Sequence, residues 1–187
     1  MALKSQESRD EALVEAAQNG HLESFGALYE RYHSPMVALA YSVLGDRDLA
    51  EDAAQETFAI ACQKLGTLRR RDKFAGWLAS ICRNVAHSIL RSKGKSATVN
   101  FQEPVVNQNS GDHRRDAIRQ AVFKLRSSDR ELIVLRYYNG FSQAQISNVL
   151  NISPQAVNGR LFRAKRKIAK YLKRNGFTGD DYGTVRR

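Results

Sequence analysis

Residues 139–173 read NGFSQAQISNVLNISPQAVNGRLFRAKRKIAKYLK, and this stretch decides the fold. Asn139-Gly140 closes a helix, because both residues tolerate the left-handed conformation beyond a helix C-terminus. Ser142 opens the next helix, with Gln145 three positions later in capping-box register. That helix covers about Gln143 to Leu150, with Ala144, Ile146 and Leu150 available to face inward. Asn151-Ile152-Ser153 makes a tight turn, and Ile152 is placed to fill the angle between two helices. Ser153 caps a second helix, and Pro154 occupies its first turn, where a missing N–H costs nothing. Val157, Leu161, Ala164 and Ile168 then recur at helical spacing. A short helix, a turn and a longer helix form a helix-turn-helix, which lays its second helix in a DNA major groove.

The outward residues of that second helix suit the task. Gln155, Asn158 and Phe162 stand on its early exposed face; Gln and Asn can pair with adenine, and Phe can pack on a thymine methyl. Arg160, Arg163, Lys165, Arg166 and Lys167 follow, then Lys170, Lys173 and Arg174, with no acid between them. These cations are expected to neutralise phosphates and to make affinity depend on salt.

Upstream, residues 116–138 continue the helical pattern through Ile118, Val122, Leu125, Leu132, Ile133 and Leu135, and Ser128 to Glu131 has capping-box spacing. Before that the character changes. Residues 92–115, SKGKSATVNFQEPVVNQNSGDHRR, are rich in Ser, Asn, Gln and Gly and show no helical periodicity. A loop this long is unusual inside one compact domain, so it reads as a linker. The expected organisation is all-α: two small helical domains, 9–92 and 116–175, joined by a flexible linker, 93–115, and followed by a loose tail, 176–187.

The first half carries three helical patterns. Leu22, Phe25, Leu28, Tyr29 and Tyr32 form one; Leu49, Ala53, Thr57 and Ile60 form another, with Ala50, Ala54, Phe58 and Ala61 alongside. Trp77, Leu78, Ile81, Val85, Ile89 and Leu90 mark the third. Gly20, Gly45 and Gly66 sit near the expected helix ends.

Composition narrows the function. Thirty Lys and Arg against nineteen Asp and Glu give a formal charge of +11 over 187 residues. Such an excess favours polyanion partners. At 42% hydrophobic residues, the chain can bury a core. No apolar run approaches the roughly 20 residues of a membrane span, and the N-terminus lacks a signal-peptide core, so a cytoplasmic location without membrane insertion is expected. Cys62 and Cys82 lack metal-ligand spacing and are expected as buried apolar residues. No metal site, cofactor, nucleophile–base pair or phosphate-binding glycine loop is apparent.

Glu51, Asp52, Gln55 and Glu56 cluster on a helix whose other side is apolar. An acidic patch on a basic chain avoids DNA and suits a basic protein surface. Residues 67–74, TLRRRDKF, join two helices and mix cations with apolar groups. Arg83, Asn84, Ser88 and Arg91 share one exposed face of the helix that follows. Trp77 sits among apolar neighbours and reads as core.

Taken together, these segments resemble the extracytoplasmic-function branch of the sigma-70 factors. Residues 127–172, from SSDRELIVLRYYNGFS to RLFRAKRKIAKYL, resemble the domain of that family which binds the minus-thirty-five promoter element. FGALYERY (25–32) and AEDAAQETF (50–58) resemble its first conserved helices, and KFAGWLASICRNVAHSILRS (73–92) its promoter-melting segment.

The resemblance implies that Glu51, Asp52, Gln55 and Glu56 dock on the clamp helices of the largest subunit of core RNA polymerase. The flap would be a second polymerase contact. It assigns minus-thirty-five recognition to Gln155, Asn158, Arg160, Phe162, Arg163, Lys165, Arg166 and Lys167. Minus-ten recognition and melting fall to Arg69, Arg70, Arg71, Lys73, Phe74, Arg83, Asn84, Ser88 and Arg91. The linker would thread along polymerase, and an anti-sigma factor would control the protein.

The departures from the pattern are Ser88 for a frequent Asp, Leu49 for another, Cys62 for an aromatic, and Asn158-Gly159 in the recognition helix. They put the promoter sequence in doubt. Two other function classes stay open from the residues alone. One is a stand-alone helix-turn-helix regulator that binds duplex sites without polymerase. The other is a helical RNA-binding protein.

Overall fold

A computed structural model describes residues 2–92 and 113–177, with side chains from Asp10 onward. Eight α-helices account for most of them: α1 (Ala2–Gln18), α2 (Leu22–Leu44), α3 (Arg47–Lys64), α4 (Phe74–Ser92), α5 (His113–Phe123), α6 (Ser127–Ile133), α7 (Gln143–Leu150) and α8 (Pro154–Arg174). Two 3-10 turns, Leu65–Thr67 and Arg71–Lys73, connect α3 to α4, and a π turn, Val134–Tyr138, extends α6. No strand occurs among the described residues, as expected for an all-α chain.

The first unit is α1 to α4. Helix α2 ends because Gly45 takes a left-handed conformation at φ 68°, returning its N–H to the Tyr41 carbonyl. Asp46 then caps α3 by accepting from the Leu49 amide at 3.1 Å. The buried side of α3 is small: Ala50, Ala53, Ala54 and Ala61, with Phe58 as the one large wedge. Small residues let helix backbones approach, and α2, α3 and α4 pack around Leu28, Met36, Leu39, Leu78 and Cys82. Helix α2 continues through Pro35.

The second unit is α5 to α8, centred on Leu132, Leu135, Ile146, Val157, Leu161 and Ala164. Its core is continuous with that of the first unit. The Phe123 ring stands edge-on to Tyr41 at 5.1 Å. Asn139 Nδ2 donates to the Pro35 carbonyl at 3.3 Å, and the Ser34 and Tyr138 hydroxyls lie 3.0 Å apart. Two helical units are present, as the periodicity implies. That they close on each other is not visible in any local pattern.

Several local expectations need correction. Helix α5 begins at His113, inside the stretch assigned to the linker; residues 93–112 lie outside those described. The capping box at Ser128 does not form: α6 starts two residues earlier, at Ser127, with Arg126 as its cap and no side-chain bond, so Asp129 and Glu131 are free for longer-range pairs. In α7 the inward residues are Ile146 and Val149, while Ala144 is exposed. Cys62 is exposed; only Cys82 is buried. Burial pushes the Cys82 thiol up to about 12. Leu22 heads α2 but is 81% exposed, because the helix's first turn overhangs the core. Phe177, placed in the tail, packs on Ala117, Ala121 and Leu172; residues 178–187 lie outside those described.

Candidate promoter and polymerase interfaces

The helix-turn-helix forms as its residues dictate. Both arms of the capping box are made: Ser142 Oγ accepts from the Gln145 amide at 3.2 Å, and Gln145 Oε1 accepts from the Ser142 amide at 2.8 Å. Asn151 adopts the left-handed conformation (φ 51°) that ends α7. The Ile152 amide bonds back to the Ser147 carbonyl, and Ser153 caps α8 by accepting from the Ala156 amide at 3.2 Å. Val157, Leu161 and Ala164 are buried beneath α8, so its opposite face turns outward.

That outward face carries Gln155, Asn158, Phe162, Arg163, Lys165, Arg166 and Lys167, all exposed. Phe162 is 61% exposed, with the Arg166 guanidinium 5.8 Å from its ring centre. Leaving a large aromatic in water has a hydrophobic cost that a partner surface can recover. Asn158 Oδ1 accepts from Gln143 Nε2 at 2.6 Å, which links the two helices on the outer side. Arg160 and Lys167 are not free cations. Both pair with Asp129, at 3.4 and 3.0 Å. Burial would push the Asp129 carboxyl up, but Lys167 and Arg160 outweigh it and hold it below the usual range. Arg163, Lys165 and Arg166 make no ion pair with any described residue, which leaves them available to phosphates.

In the 65–73 loop the cations divide in the same way. Arg70 and Lys73 both bind Asp72, each at 2.8 Å; the Lys73 and Arg70 hydrogen bonds hold that carboxyl below the ordinary range. Arg71 points back to α1, where Glu15 takes it at 2.8 Å and Gln18 at 2.9 Å. Arg69 is exposed and pairs with no described residue. Phe74, which the resemblance assigns to the minus-ten strand, lies in the core. It is 1% exposed, edge-on to Tyr32 at 5.5 Å and against Trp77 at 5.9 Å. Trp77 is partly buried on the same core, as its neighbours imply.

On α4, Asn84, Ser88 and Arg91 are exposed along one face. Arg83 shares that face but is tied to the second unit: its Nε donates to Glu131 Oε2 at 2.8 Å. His87 Nε2 lies 3.3 Å from the other carboxylate oxygen, a contact that is ionic only when the imidazole is protonated. Glu131 is 1% exposed; burial alone would raise its carboxyl, but His87 and Arg83 hold it low.

On α3, Asp52, Gln55 and Glu56 are exposed beside the half-buried Glu51, which lies 3.4 Å from His33. The acids and the buried alanines occupy opposite sides of one helix. A continuous polar strip therefore faces away from the core.

Sequence reasoning did not find Gln18, Asp129 or Glu131. Each acts on partners 31 or more positions away. No spacing rule reaches that far. The only local hint was the pair of acids, Asp129 and Glu131, in an otherwise basic region.

Comparison with known proteins agrees with this geometry. Residues 28–96 match the model of sigma-70 region 2, and residues 115–168 match sigma-70 region 4. The chain is 29% identical to the ECF RNA polymerase sigma factor BldN of Streptomyces coelicolor, over 91% of this chain and 69% of that one. It is 26% identical to the ECF sigma factor SigW of Bacillus subtilis, over 86% and 95%. Among solved structures, CnrH in complex with the cytosolic domain of CnrY superposes with a TM-score of 0.67 at 26% identity, covering 90% of this chain and 99% of that one. The fold is shared with RpoE bound to the anti-sigma factor NepR from Bartonella quintana, at a TM-score of 0.70, 22% identity and coverage of 81% and 98%. With regions 2 and 4 matched in order and the fold shared along most of its length, the chain belongs to the sigma-70 family, as an extracytoplasmic-function transcription initiation factor.

Proposed function

We propose that residues 9–92 bind core RNA polymerase and the minus-ten region, and that residues 116–175 bind the minus-thirty-five duplex. One observation carries this reading. The chain bears an exposed acidic face at Asp52, Gln55 and Glu56 and, on a separate helix, an exposed Phe162 among cations with no ion-pair partner. The first face suits a basic protein surface and is repelled by DNA. The second suits base edges and phosphates.

Within α8, Gln155, Asn158 and Phe162 read bases, and Arg163, Lys165 and Arg166 neutralise phosphates. At the minus-ten element Arg69, Asn84, Ser88 and Arg91 face the strand, with Arg70, Lys73 and Arg83 recruited once their carboxylates release them. Strand opening draws on binding energy, since extruding a base costs a few kcal/mol. An anti-sigma factor controls the protein, as the complexes of CnrH and RpoE suggest. Among the described residues no helix is long and apolar enough to cross a membrane, which fits action in the cytoplasm.

The test is reconstitution. Core polymerase with this chain, given a pool of randomised promoters, should initiate from a defined sequence, and core alone should not. A chain that binds duplex sites unaided and never associates with core is a stand-alone regulator instead.

The phosphate assignments can be read from salt dependence. Lys165→Ala should reduce the slope of log affinity against log salt by about one for every minus-thirty-five duplex tested. Lys167→Ala should change it by less, because Asp129 already neutralises that ammonium. Equal slopes for the two variants would remove the distinction.

A further inference from the structure

The last residue of α1 reaches the loop that joins α3 to α4. Gln18 Nε2 donates to the carbonyls of Leu65 and Leu68, each at 2.9 Å. Its Oε1 accepts from Arg71 Nε at 2.9 Å. One turn earlier, Glu15 takes Arg71 Nη1 at 2.8 Å. A single amide therefore holds both 3-10 turns and the residues between them.

The chemistry selects glutamine. Only a primary amide supplies two N–H donors and an acceptor on one planar group. Glutamate can only accept, lysine can only donate, and asparagine is one methylene shorter. The loop has few other anchors. Leu65 is buried and Leu68 partly so, whereas Thr67, Arg69 and Arg70 are exposed. Asp72 binds Arg70 and Lys73 within the loop, so those bonds do not attach it to the rest of the fold. Beyond the packing of Leu65 and Leu68 on the core, its polar anchors are Gln18 and the Arg71 guanidinium that Gln18 shares with Glu15.

We propose that Gln18 is a positioning residue for promoter opening, which sets the shape of the 65–73 loop, and that Arg71 is the anchor of that loop instead of a strand contact. The proposal rests on the reading of the loop as the minus-ten strand site. A site that captures an unstacked base works when its groups are held in place beforehand; a loop that must order on binding loses that advantage. The N-terminal helix thereby acts in melting without touching DNA.

The experiment uses the full chain with core polymerase on the promoter recovered by selection. A fluorescent base analogue in the minus-ten strand reports opening. Gln18→Met keeps length and removes all three bonds; Gln18→Glu keeps the Arg71 acceptor and loses both donors. Each should slow opening, about tenfold for Gln18→Met, the equivalent of one or two net hydrogen bonds. Base preference at minus ten should broaden, with core binding unchanged and the thermal midpoint lowered by only a few degrees. Arg71→Met should slow opening to a similar degree, add nothing to Gln18→Met, and leave the salt slope unchanged.

Wild-type opening in both Gln18 variants overturns the proposal, as does a salt slope lowered by about one in Arg71→Met, which marks a phosphate contact. If Gln18→Met melts below the assay temperature, Gln18→Glu supplies the same reading. Arg69→Ala separates the two levels. Slow opening there with normal opening in the Gln18 variants sinks the positioning role alone. Normal opening in Arg69→Ala sinks the strand-site reading and the proposal with it.

Discussion

Phe74→Ala should cost the protein about 3–5 kcal/mol, the usual range for emptying a buried aromatic site. The ring is 1% exposed and wedged between Tyr32 and Trp77 at the start of α4. Deleting it removes a large hydrophobic contribution and leaves a cavity beneath the loop. A domain has only about 5–15 kcal/mol of total stability, so the variant should melt roughly 10 °C lower. Phe74→Leu, which keeps most of the volume, should cost far less, about 1–2 kcal/mol. In both variants minus-ten and minus-thirty-five binding should fall together, in proportion to the unfolded fraction. Thermal melts paired with binding to each DNA element decide the matter. A Phe74→Ala chain that melts normally and loses only the minus-ten strand would return the residue to the DNA surface.

Glu131→Ala is expected to have the next largest effect. It leaves Arg83 facing a buried gap where its carboxylate was, and removing one member of a buried pair costs several kcal/mol. Arg83 keeps 30% of its side-chain surface in water, so the lower end, about 3 kcal/mol, applies. Acid should have a related effect. The folded carboxyl sits below its ordinary value of about 4.3, so its contribution is fully present above that pH and is lost as pH falls through the lowered folded value. Urea midpoints should therefore drop between about pH 4.3 and lower values in wild type, and drop less in Glu131→Gln. Equal acid sensitivity in the two chains would contradict the assignment.

The same variant addresses how the two units part. Elements centred about 25 base pairs apart lie roughly 85 Å apart along B-form DNA. A compact chain of this length is only about 40 Å across. Binding both elements at once would require the closed arrangement, with Arg83 held by Glu131 and Tyr41 against Phe123, to open. Weakening the clasp should raise promoter opening per folded molecule, because Arg83 is released.

Much of this was legible in the chain itself. The helix-turn-helix, its two serine caps and the tight turn at Asn151 depend on residues three or four positions apart, and local rules cover that distance. The same holds for α3, whose acids and alanines separate by helical period. Local rules gave no guidance where a residue's partner lay far away. Phe74 and Arg71 stand in one short cationic run, and nothing in that run distinguishes a core ring or an anchored guanidinium from a free one. Ser128 offered a capping box that α6 does not use.

The sequence by itself therefore determined the all-helical class, the order of the two units, the helix-turn-helix and the acidic face of α3. These follow from periodicity and short-range hydrogen bonding, which the local chain encodes. Only the tertiary structure decided which cations are free. Asp129 takes Arg160 and Lys167, Asp72 takes Arg70 and Lys73, Gln18 and Glu15 take Arg71, and Glu131 takes Arg83. Whether a charge is neutralised depends on what lies within a few ångströms in space, and in this fold three of those four sets of partners come from helices distant in sequence.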